Sequence, residues 1–329
     1  QLIGANRETT IIDGGQITAG VTFDSGENSN AVLNGFTIQS SVVGISCDNS
    51  SPTLMNLIIT ENHHFGQGSG VDAGGIYLNY SNAIITDVLI TDNTVPQNGG
   101  GIHLNYSDAT LLRVVISNNT STNCCGYGGG MYIKNSNPTL SEVTVQGNEA
   151  GYGGGISTNT SSPILQDCII TGNNSDWIGG GGMYISGNNP TLENVVIAGN
   201  TTSGSLNGAG MYLYGGSPTL INVTMTNNIG ANGDAIYCSN NSNPVLVNSI
   251  LWNNDNQIYF DDSEAANSIS IAYSDIEGGE FGIYSNNGTV NWLGGNISAD
   301  PLFVDAENGD YHLSDLSPVI SAAASEVTI

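Results

Sequence analysis

GIYLNYSNAIITDVLITDN (75–93), GIHLNYSDATLLRVVISNN (101–119) and GMYIKNSNPTLSEVTVQGN (130–148) are three copies of one module. It opens with Gly followed by Ile or Met and closes with Asn. Further copies run GISCDNSSPTLMNLIITEN (44–62), GISTNTSSPILQDCIITGN (155–173), GMYISGNNPTLENVVIAGN (182–200) and GMYLYGGSPTLINVTMTNN (210–228). An eighth, AIYCSNNSNPVLVNSILWNN (235–254), carries one extra residue before Pro244. The first seven share one length, while the connectors between them vary. A rigid strand–turn–strand unit followed by a tolerant loop has this signature, and self-similarity at such a period is that of a solenoid.

Within the module, apolar residues alternate with polar ones. Ile76, Leu78, Ile85, Val88 and Ile90 correspond to Met131, Ile133, Leu140, Val143 and Val145 two copies later. Alternation with period two puts one face of each strand inward. No segment keeps a 3.6-residue period, so no helices are expected. Strands this short, without crossover helices, bury a core by stacking coil on coil, each paired in parallel with the next. The expected fold is all-β, a right-handed parallel β-helix of about nine coils. It forms a single domain, with irregular opening coils over 1–43, regular repeats over 44–254 and irregular closing coils over 255–329.

The closing asparagines Asn62, Asn93, Asn119, Asn148, Asn173, Asn200, Asn228 and Asn254 share one register. An amide both donates and accepts, so inward-turned asparagines would bond from coil to coil as an interior ladder. Asn also favours the left-handed turn conformation, and a surface-turn reading stands beside the ladder.

Composition bounds the function. Three basic residues (Arg7, Arg113, Lys134) face 29 acidic ones, for a net charge of −26. Nucleic acid and anionic membranes are therefore excluded as partners, because both call for clustered Lys or Arg. No apolar run is long enough to insert in a bilayer. The acidity serves solubility at a surface; bound Ca²⁺ is the alternative, although no D-x-D-x-D-G loop is present. No cofactor is expected otherwise, and metal ligation is left open: His63 and His64 fall in a loop and His103 in a strand, none in a Cys/His metal spacing.

The GGGI and GGGM starts and the ITEN, ITDN and ITGN closings resemble repeats of polymorphic outer-membrane proteins. TIIDGG, SSPTL and the ADPLFVD, DYHLS, SPVI ending resemble secreted right-handed β-helix proteins more broadly. The resemblance covers nearly the whole chain. It implies the fold, export and extracellular or cell-surface display, in a set that holds adhesins and lyases alike. Where such endings often read S-P-x-I-D-x-G, this chain has SPVISAA (317–323), so no role is carried over for that Asp.

Two function classes follow. The first is a structural or adhesive module that binds glycan on a host or neighbouring cell and associates head to tail. Neither end shows an amphipathic helix to cover its strand edges. The second is a polysaccharide lyase, which needs a base and positive charge at the uronate carboxylate. Arg113 lies in register with Asp87 and Glu142 and reads as a cross-coil ion pair, and Lys134 lies between Asn105 and Asn159. Asp261 and Asp262 are the only adjacent acidic pair, with no partner in register for hydrolysis. No catalytic residue is assigned.

The binding reading rests on a row between the first two inward positions: Tyr77, His103, Tyr132, Ser157, Tyr184, Tyr212 and Tyr237. Alternation points it out of the coil. It reads as cross-strand packing or, with Ser157 as an interruption, as an aromatic stripe for sugar rings. A hydroxyl array for ice on Thr60, Thr91, Ser117, Gln146, Thr171, Ala198 and Thr226 is too broken. Cys47, Cys168 and Cys238 fall at inward positions as small hydrophobes. Cys124 and Cys125 sit in a loop, as free thiols or a strained vicinal disulfide.

Overall fold

The computed structural model describes residues 1–16, 18–64, 73–262 and 265–324. Each module folds as three short strands turned around a narrow core. In one coil these are Ile76–Asn79, Ile84–Thr86 and Leu89–Thr91, which define the first, second and third faces of a prism. Stacked coils give sheets of eleven, twelve and eleven strands on the three faces. Every neighbouring pair in these sheets is parallel, and register holds without slip through the modules, as in Ile76↔Ile102↔Met131. The opening segment supplies strands such as Ala19–Phe23, and the closing segment continues to Thr289–Trp292. The solenoid therefore has about two more rungs than the nine expected, because both irregular segments still stack in register.

The alternation places the core as expected. Ile76, Leu78, Ile85, Val88 and Ile90 are buried, as are Met131, Ile133, Leu140, Val143 and Val145. Cys47, Cys168 and Cys238 join them, and burial pushes the Cys47 thiol up to about 12 and Cys168 to about 11.

The asparagines form a continuous ladder. The Asn62 amide donates to Asn93 Oδ1 at 2.9 Å, and the contact repeats through Asn119, Asn148, Asn173, Asn200 and Asn228 to Asn254. From Asn93 on, each Oδ1 also accepts the backbone N–H of the preceding ladder residue, as in Asn119 N to Asn148 at 2.9 Å, and Asn62 Oδ1 accepts the Ser41 N–H at 3.0 Å. Beyond Asn254 the amide donates to Gln257 Oε1 at 2.7 Å, which closes the stack. The left-handed conformation belongs to the residue one step earlier, at Glu61, Asp92 and Asn118, and at Gly147, Gly172 and Gly199. Ladder and turn are thus both present, on adjacent residues.

The ladder also explains the glycine at the module's start. A Cβ on Gly155 would stand 2.6 Å from the Gly182 carbonyl oxygen and 3.0 Å from Asn173 Nδ2. Only glycine lets the coils approach that closely beside the ladder.

Two features depart from the sequence reading. The connectors are not wholly irregular: they begin with two to six residues that pair coil to coil as a fourth sheet of five strands, beginning with Thr94–Val95 and Thr120–Ser121. A serine ladder was also missed. Backbone N–H groups of Ser50, Ser81, Ser107 and Ser136 donate to the hydroxyl of the matching serine in the next coil, ending at Ser161, at 2.8–3.2 Å. Its signal is the in-register Ser of NSSP, YSNA, YSDA, NSNP and TSSP.

After Ile297 the chain leaves the solenoid and folds back over the outside. Phe303–Asp305 and Asp310–Leu313 form an antiparallel hairpin. It lies against Ile169, Thr171 and Val196 of the third face, and Ala198 and Thr226 beside them are buried. Only three short 3₁₀ turns interrupt the strands among the described residues. Residues 325–329, which belong to the expectation about the chain's ends, lie outside the described part.

Candidate functional site: an aromatic face

Twelve of the fourteen tyrosines gather on one side of the prism. Tyr77, Tyr132, Tyr184, Tyr212, Tyr214, Tyr237, Tyr259 and Tyr284 lie in first-face strands. Tyr80 and Tyr106 take the corner that follows, and Tyr127 and Tyr152 stand on connectors folding over the face. The last two residues of the row, Tyr259 and Tyr284, extend it past Tyr237 in the same register.

The row itself is a ring stack in two runs. Tyr77 meets His103 edge-on at 5.4 Å, and His103 lies 4.9 Å from Tyr132. Tyr184, Tyr212, Tyr237 and Tyr259 follow at 5.4, 4.8 and 5.6 Å between successive rings. Ser157 interrupts it, and the connector tyrosines bridge that gap: Tyr127 stacks on Tyr132 at 5.3 Å, and Tyr152 meets Tyr184 edge-on at 5.2 Å. Tyr127 and Tyr152 stack on each other at 4.5 Å.

This second layer covers much of the row. His103, Tyr132, Tyr184 and Tyr237 are only 5–7% exposed, while Tyr77 and Tyr212 are half-buried. The strand positions do point out of the coil, but the connectors cover them. Burial holds the Tyr184 and Tyr237 hydroxyls well above the ordinary phenol range, so both stay neutral phenols. Burial raises Tyr127 and Tyr152 as well.

Apart from Tyr284 at the row's end, the most exposed rings belong to a different set. Trp177, on the connector strand Asn174–Gly179, is 48% exposed beside Tyr152. Tyr214, two residues along the strand from Tyr212, is 46% exposed. Tyr80 and Tyr106 form a parallel pair with centroids 4.9 Å apart, both exposed. A polar strip runs alongside: Asn105 donates to Asn79 Oδ1 at 2.8 Å and Asn79 to Asp48 Oδ1 at 2.7 Å. The row named from sequence is thus the support, and the accessible rings lie on its borders. Sequence periodicity did not find Tyr127, Tyr152 or Trp177, because connectors fall outside the repeat.

Two of the chain's three cations meet at Asp87, and the third, Lys134, stands apart on another face. Arg113 makes a two-pronged pair with Asp87 at 2.7 and 2.9 Å, as its register indicated, which lowers the Asp87 carboxyl pKa. Arg7 donates to the Asp87 carbonyl at 3.2 Å, at the corner between the second and third faces. Lys134 is exposed on the first face, between Asn105 and Asn159. Asp261 accepts from the Ser239 hydroxyl at 3.2 Å, and Asp262 is exposed. Among the described residues, no three His, Cys, Asp or Glu side chains are grouped to hold a metal ion. Likewise, no described helix is long and apolar enough to cross a membrane. Cys124 and Cys125 are free thiols on an exposed turn.

A family described as "Right handed beta helix region" matches residues 19–190, 74–232 and 129–298 in overlapping segments. No curated protein and no solved structure matches the chain. Parallel faces, a buried amide ladder and a family match over most of its length place this chain in the right-handed β-helix family.

Proposed function

We propose that the protein is an exported or surface-displayed β-helix that binds extended glycan along its first face, as a structural or adhesive module. The observation that carries this reading is the concentration of tyrosines there, with exposed Trp177, Tyr214, Tyr80 and Tyr106 bordering a rigid stacked row. A ring presents a flat apolar face to a sugar's C–H groups, and planar amides such as Asn79 and Asn105 match its hydroxyls. Coils repeat at ~4.8 Å, so the face offers a long, stiff support at little ordering cost. A net charge of −26 favours neutral or cationic glycans over uronate polymers.

The test is a glycan array read beside a W177A/Y214A double variant. Both rings are exposed, so the coils stay folded. Retention of a neutral or cationic oligosaccharide that drops at least about tenfold in the variant supports the reading. No glycan held by the unaltered protein, or equal retention by both, overturns it. Turnover of a uronate polymer that depends on Lys134 would put the lyase in its place.

A further inference from the structure

We propose that Cys124 and Cys125 form a two-thiol chelate for a single thiophilic, three-coordinate centre, of which a mono-organic trivalent arsenical is the simplest. The two thiols occupy the middle of a turn closed by Gly126 N–H donating to the Asn123 carbonyl at 2.8 Å. The turn is held firmly. Thr122 N–H donates to Val95 O at 2.9 Å and Asn123 N–H to Pro96 O at 2.8 Å, both in the coil before. On the other side Gly151 packs directly over the Cys124 carbonyl, where a side chain would not fit. Tyr127 follows the turn, its N–H bound to Asn98 Oδ1 at 3.1 Å.

The geometry selects the ligand class. The sulfurs are 3.4 Å apart, and both residues are exposed. Closing a disulfide requires ~2.05 Å between them, a contraction that adjacent residues reach only with strain. Strained, exposed disulfides are the readily reduced ones. A tetrahedral zinc with Zn–S of ~2.3 Å needs sulfurs ~3.8 Å apart and two more ligands. No third His, Cys, Asp or Glu stands in place among the described residues. A pyramidal centre has narrower S–X–S angles and needs only two thiolates beside the group it already carries. It fits the observed spacing without moving the turn. The other three cysteines are buried in the core and do not compete.

With phenylarsine oxide, two S–H bonds and the arsenic–oxygen bond break and two As–S bonds form. One water leaves, and arsenic stays trivalent. The protein, reduced and freed of reductant, is titrated with phenylarsine oxide and read by intact mass and by tryptophan fluorescence. One adduct per chain is expected, with a fluorescence change because the turn runs directly into Tyr127, which stacks on Tyr152 at 4.5 Å. A small dithiol should reverse it and an equal concentration of monothiol should not. C124S and C125S should each weaken binding by on the order of hundredfold or more, since the second bond is an intramolecular one. Either single variant binding like the parent, or an adduct displaced equally by monothiol, would overturn the chelate. So would prompt closure to a disulfide, seen as the loss of two hydrogens, in place of an adduct. Circular dichroism of the two variants confirms that the coils are intact.

Discussion

Replacing Asn148 by Leu tests the ladder at its middle. Asn148 Oδ1 accepts two buried donors, the Asn119 backbone N–H at 2.9 Å and the Asn119 amide at 3.0 Å. Its own amide donates to the Ile116 carbonyl and to Asn173 Oδ1, each at 3.0 Å. Leucine has the same number of side-chain heavy atoms but is bulkier, and it leaves the Asn119 N–H with nothing and one Asn119 amide hydrogen unpaired. Asn173 Oδ1 keeps the Asn148 backbone N–H. Two stranded donors at ~1–3 kcal/mol each, less a small apolar gain, give a net loss of about 2–4 kcal/mol. The control is Asn137→Leu. Asn137 is exposed, and its Oδ1 accepts only the Ser162 N–H at 2.8 Å, which water replaces. That change should cost under ~1 kcal/mol. A long repeat array need not unfold in one step, so a melting curve alone is insufficient. Hydrogen exchange reads the site directly: the Asn119 amide should exchange faster in N148L and unchanged in N137L. Equal thermal shifts in both variants, or undiminished protection at Asn119, would show that the ladder does not support the coils.

Thr158→Val should stabilise the fold by about 1 kcal/mol, since the Thr158 hydroxyl is fully buried at a core position without a hydrogen-bond partner; a denaturant midpoint that falls instead refutes this. Arg113→Ala should shift the thermal midpoint only slightly, because both partners of the Asp87 pair are nearly half exposed, and that shift should vanish in high salt. Asp275 is buried where Ala299 N–H donates to its Oδ1 at 3.0 Å, and burial, with Asp300 and Glu277 nearby, raises its pKa to about 6. A raised carboxyl favours the folded state when protonated. This group's contribution to folding stability should therefore be full below ~pH 4, fall up to about pH 6 and level off above. The difference in denaturant midpoint between the parent and D275N should follow that curve, and a pH-independent difference refutes it.

The register of the repeat made much of this molecule legible. Apolar residues at matching module positions are the inward ones, and a closing Asn in every module is a ladder, because a parallel coil presents each residue to its own counterpart one repeat away. Periodicity in sequence and contact in space are then the same fact. The Asp87–Arg113 pair and the core cysteines were readable for that reason. The aromatic face was only half readable. Its row was evident from register, but burial of Tyr132, Tyr184 and Tyr237 depends on connectors of unequal length, whose packing has no period. Tyr127, Tyr152 and Trp177 come from those connectors, and only the tertiary structure sets them over or beside the row. The return of residues 298–324 along the third face is likewise a contact between segments far apart in sequence. It sets Tyr311 and His312 beside Ile169, Thr171 and Val196 and pins Ala324 to Asn248 at 2.9 Å, through pairings that no neighbouring repeat could announce.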